Sequence, residues 1–488
     1  MMKISTVCLL AAMCMLTPAF GAENNEATVK ISTKNLAGRQ IVYHRSHNGV
    51  YLTTFTPVEL TADSTFTLTL PTEGVERVNI LARDPNNQLP YVYQTFYALP
   101  GVTEVVIDPL AKENVVVVPP TGNSLDAKAA QSADNLYDLW FHLATGRKDK
   151  LGLWADSIPT TVSTKLNTYA DSINQAYAGA SAEIRQALEN DTRLESLMVY
   201  SQCTYLAGNK GDAEAWKQEL GRIRNEVNMS DPANARNPFF AQHIVNDFYF
   251  KDNFPDGDFP QDITPDSLLQ LKTDYFLNTL SGKAAESALG TMLYEDGATG
   301  KFSPGMPALT EQFKKLFPES GLIPLLDEKV RDNFAFNHPN PSDEIVFLDN
   351  TEIKSLSDLL APYKGKPILI DLWATWCGPC RESFAHIEPI QKYAEENGIQ
   401  LLYISIDDQP NIEDQWKRMA NYYNLKGHHL LINPDLRPEI FSTFGTNGSL
   451  TIPQLAIVNR DGEITVCPQS IATTADFTPL RNLLEQVK

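Results

Sequence analysis

The chain has 488 residues, and its 60 Asp and Glu residues outnumber its 40 Lys and Arg residues, which gives a formal net charge of −20. One hydrophobic core rarely organises a chain of this length, so we expect two or three domains. The negative charge argues against nucleic acid as a partner, because the phosphates would be repelled rather than neutralised.

The first 22 residues predict a secretory signal peptide. Lys3 provides the positive start, the run from Val7 to Leu16 is apolar, and Ala19 to Ala22 supply a small-residue cleavage site. This run is shorter than the roughly 20 residues that a membrane-spanning helix needs. Cys14 follows a bulky methionine rather than the small residue that usually precedes a lipidated cysteine. We therefore expect an exported, soluble protein of the periplasm without a lipid anchor.

Residues 23–120 are predicted to form a small antiparallel β-sandwich. Short β-branched or alternating runs recur there with turn residues between them, which is typical of an all-β domain. Such runs include Val29–Ile31, Gln40–Tyr43, Phe66–Leu70 and Val115–Val118. The segment Pro119–Ser124 consists largely of turn residues and is interpreted as a linker.

Residues 125–336 are predicted to form an all-α domain, because their apolar residues recur at helical spacing. The three clearest amphipathic faces comprise Leu166, Tyr169, Ala170, Ile173, Ala176 and Tyr177; Ala215, Trp216, Leu220, Ile223 and Val227; and Leu268, Leu271, Tyr275 and Phe276. Nothing in the two upstream domains has the spacing of a catalytic motif. A second linker, His338–Ser342, ends this part of the chain.

Residues 342–488 alternate strands with helices, which predicts an α/β domain. Residues 366–373 form a largely apolar run after Lys366, with Asp371 inside it, which is typical of a buried parallel strand, and Ile399–Asp407 predicts a second strand. Cys377 and Cys380 follow the first strand at the spacing C-x-x-C, where the strand gives way to a helix. Unpaired N–H groups at a helix N-terminus favour a thiolate, which is the nucleophile in disulfide exchange.

Residues 370–381 read Ile-Asp-Leu-Trp-Ala-Thr-Trp-Cys-Gly-Pro-Cys-Arg. This segment resembles the active-site segment of thioredoxin-fold proteins, and the TlpA-like thiol-disulfide oxidoreductases are the most similar. A second match, Leu450–Gly462, resembles the strand–Asp-Gly–strand hairpin of the family. The resemblance covers roughly residues 342–488 and implies a thioredoxin fold for that part of the chain. It also implies a cis peptide bond before Pro453, with the proline facing the cysteines.

The resemblance implies a disulfide-exchange mechanism. Cys377, nearer to solvent, attacks a substrate disulfide, and the more buried Cys380 attacks the resulting mixed disulfide and releases the reduced substrate. Asp371 matches the family's buried carboxylate, which accepts the proton of the second cysteine. No cofactor or metal is expected beyond the redox-active disulfide Cys377–Cys380. The expected partners are a protein disulfide substrate and a membrane-embedded thiol reductant.

The Gly-Pro pair between the cysteines resembles the reducing members of the family, so reduction of protein disulfides is the expected direction. Two residues depart from the family's pattern. Ala385 replaces a helix-kinking proline, which predicts a straighter active-site helix. Tyr403 replaces a lysine near the buried aspartate, which predicts a different pKa for Asp371.

Other functions stay open at this stage. A thiol peroxidase would need a threonine three residues before its reactive cysteine, where Ala374 stands. A partner-binding protein could use the upstream domains, with the thioredoxin-like domain secondary or binding copper(I), although no methionine cluster surrounds the C-x-x-C motif. A structural zinc site would need further ligands, for which His386 and the pair His428–His429 are the candidates.

Two further cysteines remain after removal of the signal peptide, Cys203 and Cys467. An oxidising compartment permits a bond between them, but they belong to different predicted domains, and both are expected to be buried and inert. We also expect the C-terminal domain, from about Ser342, to contain everything the chemistry requires. The upstream domains would then confer partner choice rather than take part in catalysis.

Overall fold

The computed structural model describes residues 26–47, 50–51, 56–59, 62–71, 75–84, 87–121, 158–207, 213–237, 239–255, 259–260, 263–445, 449–472 and 476–486. The predicted signal peptide lies outside the described residues, as do the end of the first predicted linker and the beginning of the predicted helical domain. In the described ranges, no helix is both long enough and apolar enough to cross a membrane.

Two β-sheets form the N-terminal part of the structure. Their strands are β1 (Glu26–Thr33), β2 (Gln40–His47), β3 (Val50–Tyr51), β4 (Thr56–Glu59), β5 (Thr65–Pro71), β6 (Glu76–Asp84), β7 (Asn87–Ala98), β8 (Gly101–Ile107) and β9 (Val115–Val118). One sheet has the order β5-β1-β8-β9, and the other has the order β3-β2-β6-β7 with β4 paired to β2. Ala27, Val29 and Ile31 alternate along β1 and are buried in a core shared by both sheets. The strand-rich N-terminal region is confirmed.

One strand pair departs from the predicted antiparallel arrangement. β1 and β8 are parallel, with Ala27 opposite Gly101. Between these strands the chain passes through the other sheet and returns, and a connection of that length allows two strands to run in the same direction. The prediction of a wholly antiparallel sandwich is therefore wrong at this pair.

Helices dominate the next part of the chain, as predicted. They are α1 (Ile158–Ala176), α2 (Ala182–Ala207), α3 (Ala213–Glu226), α4 (Asn246–Asn253), α5 (Pro265–Thr279), α6 (Gly282–Ala298), α7 (Met306–Leu316) and α8 (Ile323–Asn337). On α5, Leu269, Thr273 and Phe276 are buried, whereas Leu271 of the predicted face is exposed. Two apolar stripes overlap on this helix, and packing in the core decides which one faces inward.

The sandwich and the helical region share part of a core. Ile173, Ala176 and Tyr177 belong to the cluster that fills the space between the two sheets. The Tyr177 hydroxyl accepts a hydrogen bond from the Tyr97 N–H at 3.0 Å and donates one to the Tyr97 carbonyl at 2.8 Å. The C-terminal end of the amphipathic face predicted on α1 thus packs against the sandwich, whereas Leu166 belongs to the core of the helical region.

The C-terminal domain is built on a mixed sheet with the order β10-β13-β12-β11-β14-β15. Its strands are β10 (Ile345–Phe347), β11 (Ile368–Trp373), β12 (Gln400–Ser405), β13 (Gly427–Leu431), β14 (Gln454–Val458) and β15 (Ile464–Val466). Its helices are α9 (Leu356–Leu360), α10 (Gly378–Phe384), α11 (Glu388–Asn397), α12 (Glu413–Tyr422), α13 (Arg437–Phe444), α14 (Gln469–Ala472) and α15 (Thr478–Glu485). β10 to β13 pair in parallel, and β14 and β15 run antiparallel to their neighbours. The predicted thioredoxin-like α/β arrangement is confirmed.

Two aromatic residues of the helical region belong to the core of the C-terminal domain. Phe302, in the loop after α6, and Phe336, near the end of α8, both lie in the same buried cluster as strand β11. Their rings stack with centroids 4.5 Å apart, and the ring of Phe302 lies 5.4 Å from that of Tyr422 on α12. This core therefore extends upstream of the predicted linker.

Replacing Phe336 with alanine should destabilise the C-terminal domain although the residue precedes the predicted linker. Phe336 is 2% exposed, and such a truncation costs about 3–5 kcal/mol of unfolding free energy because it leaves a cavity. Urea denaturation followed by tryptophan fluorescence measures the loss. Phe334→Ala is the matched control, since Phe334 lies on the same helix and is 63% exposed. Equal denaturation midpoints for the two variants would contradict the shared core.

Candidate active site

Cys377 and Cys380 lie at the junction between β11 and α10. Cys377 is the N-cap of the helix, and its sulfur accepts a hydrogen bond from the Cys380 N–H at 3.2 Å. The two sulfur atoms form a disulfide, with the Cα atoms 5.3 Å apart. Cys377 is 4% exposed and Cys380 is 0% exposed, so the predicted difference in exposure is small, whereas neighbouring Trp376 is 56% exposed. Solvent therefore reaches the surface around the disulfide more easily than the sulfur atoms themselves.

A buried aspartate that sequence reasoning did not single out holds the loop before Cys377. Asp407, just after β12, accepts hydrogen bonds from the Thr375 N–H at 2.9 Å and from the Thr375 hydroxyl at 2.8 Å. The Ser405 hydroxyl donates to the same carboxylate at 2.5 Å. The carboxyl ends of adjacent parallel strands meet at one edge of a sheet, and this rule could have indicated the contact, because Asp407 ends the second predicted strand.

Asp371 lies in the middle of β11, where every residue is buried. Residues two apart on a strand share a face, so Asp371 lies on the same face as Trp373. The ring of Trp373 packs edge-on against Phe384 of α10, with centroids 5.2 Å apart. The carboxyl group of Asp371 therefore lies on the side of the sheet that the active-site helix covers.

Burial raises the pKa of Asp371 to about 8. Within the described part of the chain, Oδ1 of this carboxyl has no hydrogen-bond partner. Tyr403 lies opposite Asp371 on β12. Burial raises the pKa of the Tyr403 hydroxyl, and the charge of Asp371 raises it further, so the phenol is neutral. A lysine at that position would instead bring a positive charge that favours the carboxylate. The expectation that Tyr403 gives Asp371 a pKa different from that of thioredoxin stays a prediction.

Pro453 precedes β14 at the same end of the sheet as the cysteines. Leu372 on β11 pairs with Gln454 on β14, which places Pro453 beside the last residue of β11. The Ile452–Pro453 peptide bond is cis, as the resemblance implied. The Pro453 carbonyl accepts a hydrogen bond from the Gln469 side chain at 2.5 Å, which ties this turn to α14.

The active-site helix is broken rather than straight. α10 ends at Phe384 and α11 begins at Glu388, and the three residues between them donate their N–H groups to carbonyls three residues earlier. The straighter helix predicted from Ala385 is therefore wrong. Pro389 at the start of α11 accounts for the break, because a continuous helix would bring its ring against the Ala385 carbonyl and leave that carbonyl without a donor.

Among the described residues, the one free cysteine is Cys467, which is buried. Burial raises the pKa of its thiol to about 11, which agrees with the inert role expected from the sequence. The side chain of Cys203 lies outside the described residues. No group of three or more His, Cys, Asp or Glu side chains in the described part of the chain is arranged to hold a metal ion.

Comparisons with known proteins agree with this geometry in the C-terminal part of the chain. Residues 339–479 match the family model described as Redoxin. The thiol-disulfide oxidoreductase ResA of Bacillus thuringiensis subsp. konkukian is 23% identical over 114 residues, which cover 23% of this chain and 61% of the relative. The thioredoxin-like protein YneN of Bacillus subtilis is 35% identical over 63 residues, which cover 13% of this chain and 36% of the relative. The chain thus spans about three fifths of the length of the first ResA relatives (61%).

Solved structures give matches of similar extent. A thiol:disulfide interchange protein of Chlorobium tepidum is 23% identical, with a TM-score of 0.21, and the match covers 26% of this chain and 83% of that one. A putative thiol-disulfide oxidoreductase of Bacteroides vulgatus is 29% identical, with a TM-score of 0.21, and the match covers 26% and 77%. The Redoxin match and these ResA-like relatives cover only the C-terminal part of the chain.

Replacing Asp371 with asparagine should change how the stability of the protein depends on pH. The carboxyl ionises near its ordinary pKa of 3.8 when unfolded, but burial raises its pKa to about 8 in the folded protein. Between these values the folded state holds the extra proton, so the free energy of unfolding falls as the pH rises. Each unit of pKa difference is worth about 1.4 kcal/mol, so Asp371→Asn should be several kcal/mol more stable than the wild type at pH 8.

At pH 4 the two proteins should differ in stability by less than about 1 kcal/mol, because the folded carboxyl is then protonated and the unfolded one is only about half ionised. Urea denaturation at pH 4, 6 and 8 measures the difference. Asp461→Asn, in the exposed turn between β14 and β15, is the control and should follow the wild-type pH dependence. Parallel curves for Asp371→Asn and the wild type would contradict the raised pKa.

Proposed function

We propose that the protein is a thiol-disulfide oxidoreductase that reduces protein disulfides through Cys377 and Cys380. The observation that supports this proposal is the disulfide at the N-terminus of α10, on the face of the sheet that contains the buried Asp371. Cys377 is the proposed nucleophile, because it caps the helix and adjoins the exposed Trp376. Cys380 is the proposed resolving cysteine, because it is completely buried. Pro453 borders the site from β14.

The proposed reaction begins with the reduced dithiol. The Cys377 thiolate attacks one sulfur of the substrate disulfide, forms a mixed disulfide and releases the other substrate sulfur as a thiolate, which takes a proton from water. The ionised carboxylate of Asp371 then accepts the Cys380 proton, directly or through water. The Cys380 thiolate attacks the Cys377 sulfur and releases the second substrate sulfur as a thiolate, which takes a proton from Asp371 or water. The substrate gains two electrons and two protons, and the protein is left with the Cys377–Cys380 disulfide.

A thiol donor must return two electrons and two protons before the next cycle. We propose a membrane-embedded dithiol reductant for this step and export to the periplasm for the protein. The proposal of export is based on the apolar segment and small-residue cleavage site in the first 22 residues. The reducing direction is supported by the Gly378-Pro379 pair between the cysteines.

Cys377→Ser should abolish reduction of a generic protein disulfide such as that of insulin, because no attacking thiolate remains. Turbidity from insulin reduction, with dithiothreitol as the electron donor, measures the rate above the uncatalysed reaction. Cys467→Ser is the matched control and should keep nearly full activity, since burial keeps that thiol protonated. Wild-type activity in the Cys377 variant would overturn the proposed function.

Asp371→Asn should slow the second step, in which Cys380 attacks the mixed disulfide. The wild-type rate of this step should rise with pH through about 8, because the carboxyl must be ionised to accept a proton. The variant should lose this dependence and accumulate mixed disulfide at neutral pH in stopped-flow experiments with a chromogenic model disulfide. An unchanged resolving rate would mean that another group accepts the proton.

A further inference from the structure

The helical region contacts the active-site helix through Arg381, the residue directly after Cys380. Nη1 of Arg381 donates a hydrogen bond to the carbonyl of Ala298, at the end of α6, over 3.4 Å. On the other side, a Cβ atom built on Gly378 would lie 3.9 Å from Nη2. The guanidinium group therefore lies between the loop that follows α6 and the N-terminus of the helix that carries the cysteines.

Gly300 leaves the space that this guanidinium group occupies. Its φ angle is +73°, a left-handed conformation that other residues adopt only with strain. A Cβ atom at this position would lie 2.1 Å from Nη1 of Arg381 and 3.0 Å from its Cζ. Any side chain at residue 300 would therefore displace the guanidinium group.

Buried hydrogen bonds fix the conformation of the loop that contains Gly300. The carboxylate of Asp296 accepts hydrogen bonds from the Ser303 hydroxyl at 2.6 Å and from the Ser303 N–H at 2.8 Å. The Asn333 side chain donates to the Ser303 carbonyl at 2.8 Å. Because these groups are buried, they fix the end of α6 and the loop after it, and with them the Ala298 carbonyl that accepts from Arg381.

The same loop and α8 also contact α12. The Gln415 side chain donates to the Gly300 carbonyl at 3.5 Å, and Nη1 of Arg418 donates to Asn337 Oδ1 at 3.0 Å. The stacked rings of Phe302 and Phe336 add an apolar contact beside these polar ones. Arg381 therefore lies at one end of an extended interface and is not an isolated surface contact.

Arg381 is a half-buried cation. Across the described ranges, no carboxylate forms an ion pair with its guanidinium group, and burial lowers its pKa while Tyr423 and Glu382 oppose that shift. A positive charge near the N-terminus of α10 favours a thiolate there. Stabilising the thiolate stabilises the reduced form of the cysteine pair and makes the pair more oxidising.

We propose that Arg381 is a positioning residue of the redox centre, and that residues 296–303 of the helical region, at the end of α6 and in the loop after it, hold its charge beside the active-site helix. The proposal rests on the function proposed above for Cys377 and Cys380. It differs from the expectation that the upstream regions only select partners. The helical region instead sets the balance between dithiol and disulfide.

The test compares full-length Gly300→Ala with full-length Gly365→Ala. Gly365 has a similar φ angle of +77°, and a Cβ atom there would meet nothing within 4 Å. Both variants therefore place a side chain at a positive φ angle, and only Gly300→Ala displaces Arg381. The measurement is the equilibrium constant for oxidation of the dithiol by glutathione disulfide. Gly300→Ala should shift it towards the protein disulfide by about three- to tenfold, where tenfold equals about 30 mV. Gly365→Ala should stay within about twofold of the wild type.

Arg381→Ala introduces no backbone strain and should shift the equilibrium constant by the same factor. This variant therefore tests the proposal even if Gly300→Ala does not fold. In the double variant the shift should equal that of Arg381→Ala alone, because the added methyl group then has no guanidinium group to displace. The alkylation rate of Cys377 by iodoacetamide at neutral pH should fall in the single variants, since it reports the thiolate fraction.

An unchanged equilibrium constant in Arg381→Ala would overturn the proposal, as would fully additive shifts in the double variant. Either result would leave the proposed function intact, provided that the wild-type dithiol exchanges with glutathione. A wild-type protein that does not exchange with glutathione at all would instead overturn the proposed function.

Discussion

Strand β11 pairs with β12 on one side and with β14 on the other, and its six residues are buried. This double pairing sets the position of each group in the proposed reaction. It places Asp371 on the face that α10 covers, and it brings the cysteines to the carboxyl end of the strand. It also brings Pro453 to that end, through the pairing of Leu372 with Gln454. A shift of one residue in this register would turn Asp371 to the other face of the sheet.

The central features of this site could be predicted from sequence because they depend on short-range patterns. The apolar run around Asp371 indicates a buried strand, and the C-x-x-C spacing needs only one helical turn. Ala385 alone does not predict the break in the helix, because the break depends on Pro389 four residues later. The exposed Leu271 shows a different limit. The sequence of a helix with two overlapping apolar stripes allows either stripe to face the core, and the packing of neighbouring elements determines which one does.

The contacts of Arg381 with Ala298 and Gly300 could not be predicted in this way. These residues are about 80 positions apart, and the hydrogen bond uses the backbone carbonyl of Ala298. Every residue has a backbone carbonyl, so the sequence does not show which one accepts from Arg381. The parallel pairing of β1 with β8 has a similar origin, because it depends on the path of the chain between them. The shared cores likewise limit how well domain boundaries can be predicted. A change in composition indicates where helices begin, but packing places Tyr177 in the core of the sandwich and Phe336 in the core around β11.

Cys467 introduces a third sulfur atom into the sheet that carries the redox pair, since its N–H bonds to the Leu455 carbonyl on β14. A reactive thiol there could capture an intermediate and divert the reaction into a wrong pairing. With a pKa of about 11, only about one Cys467 side chain in ten thousand is a thiolate at neutral pH. Burial of this one side chain therefore keeps the Cys467 thiol from competing with Cys377 and Cys380 in the proposed reaction.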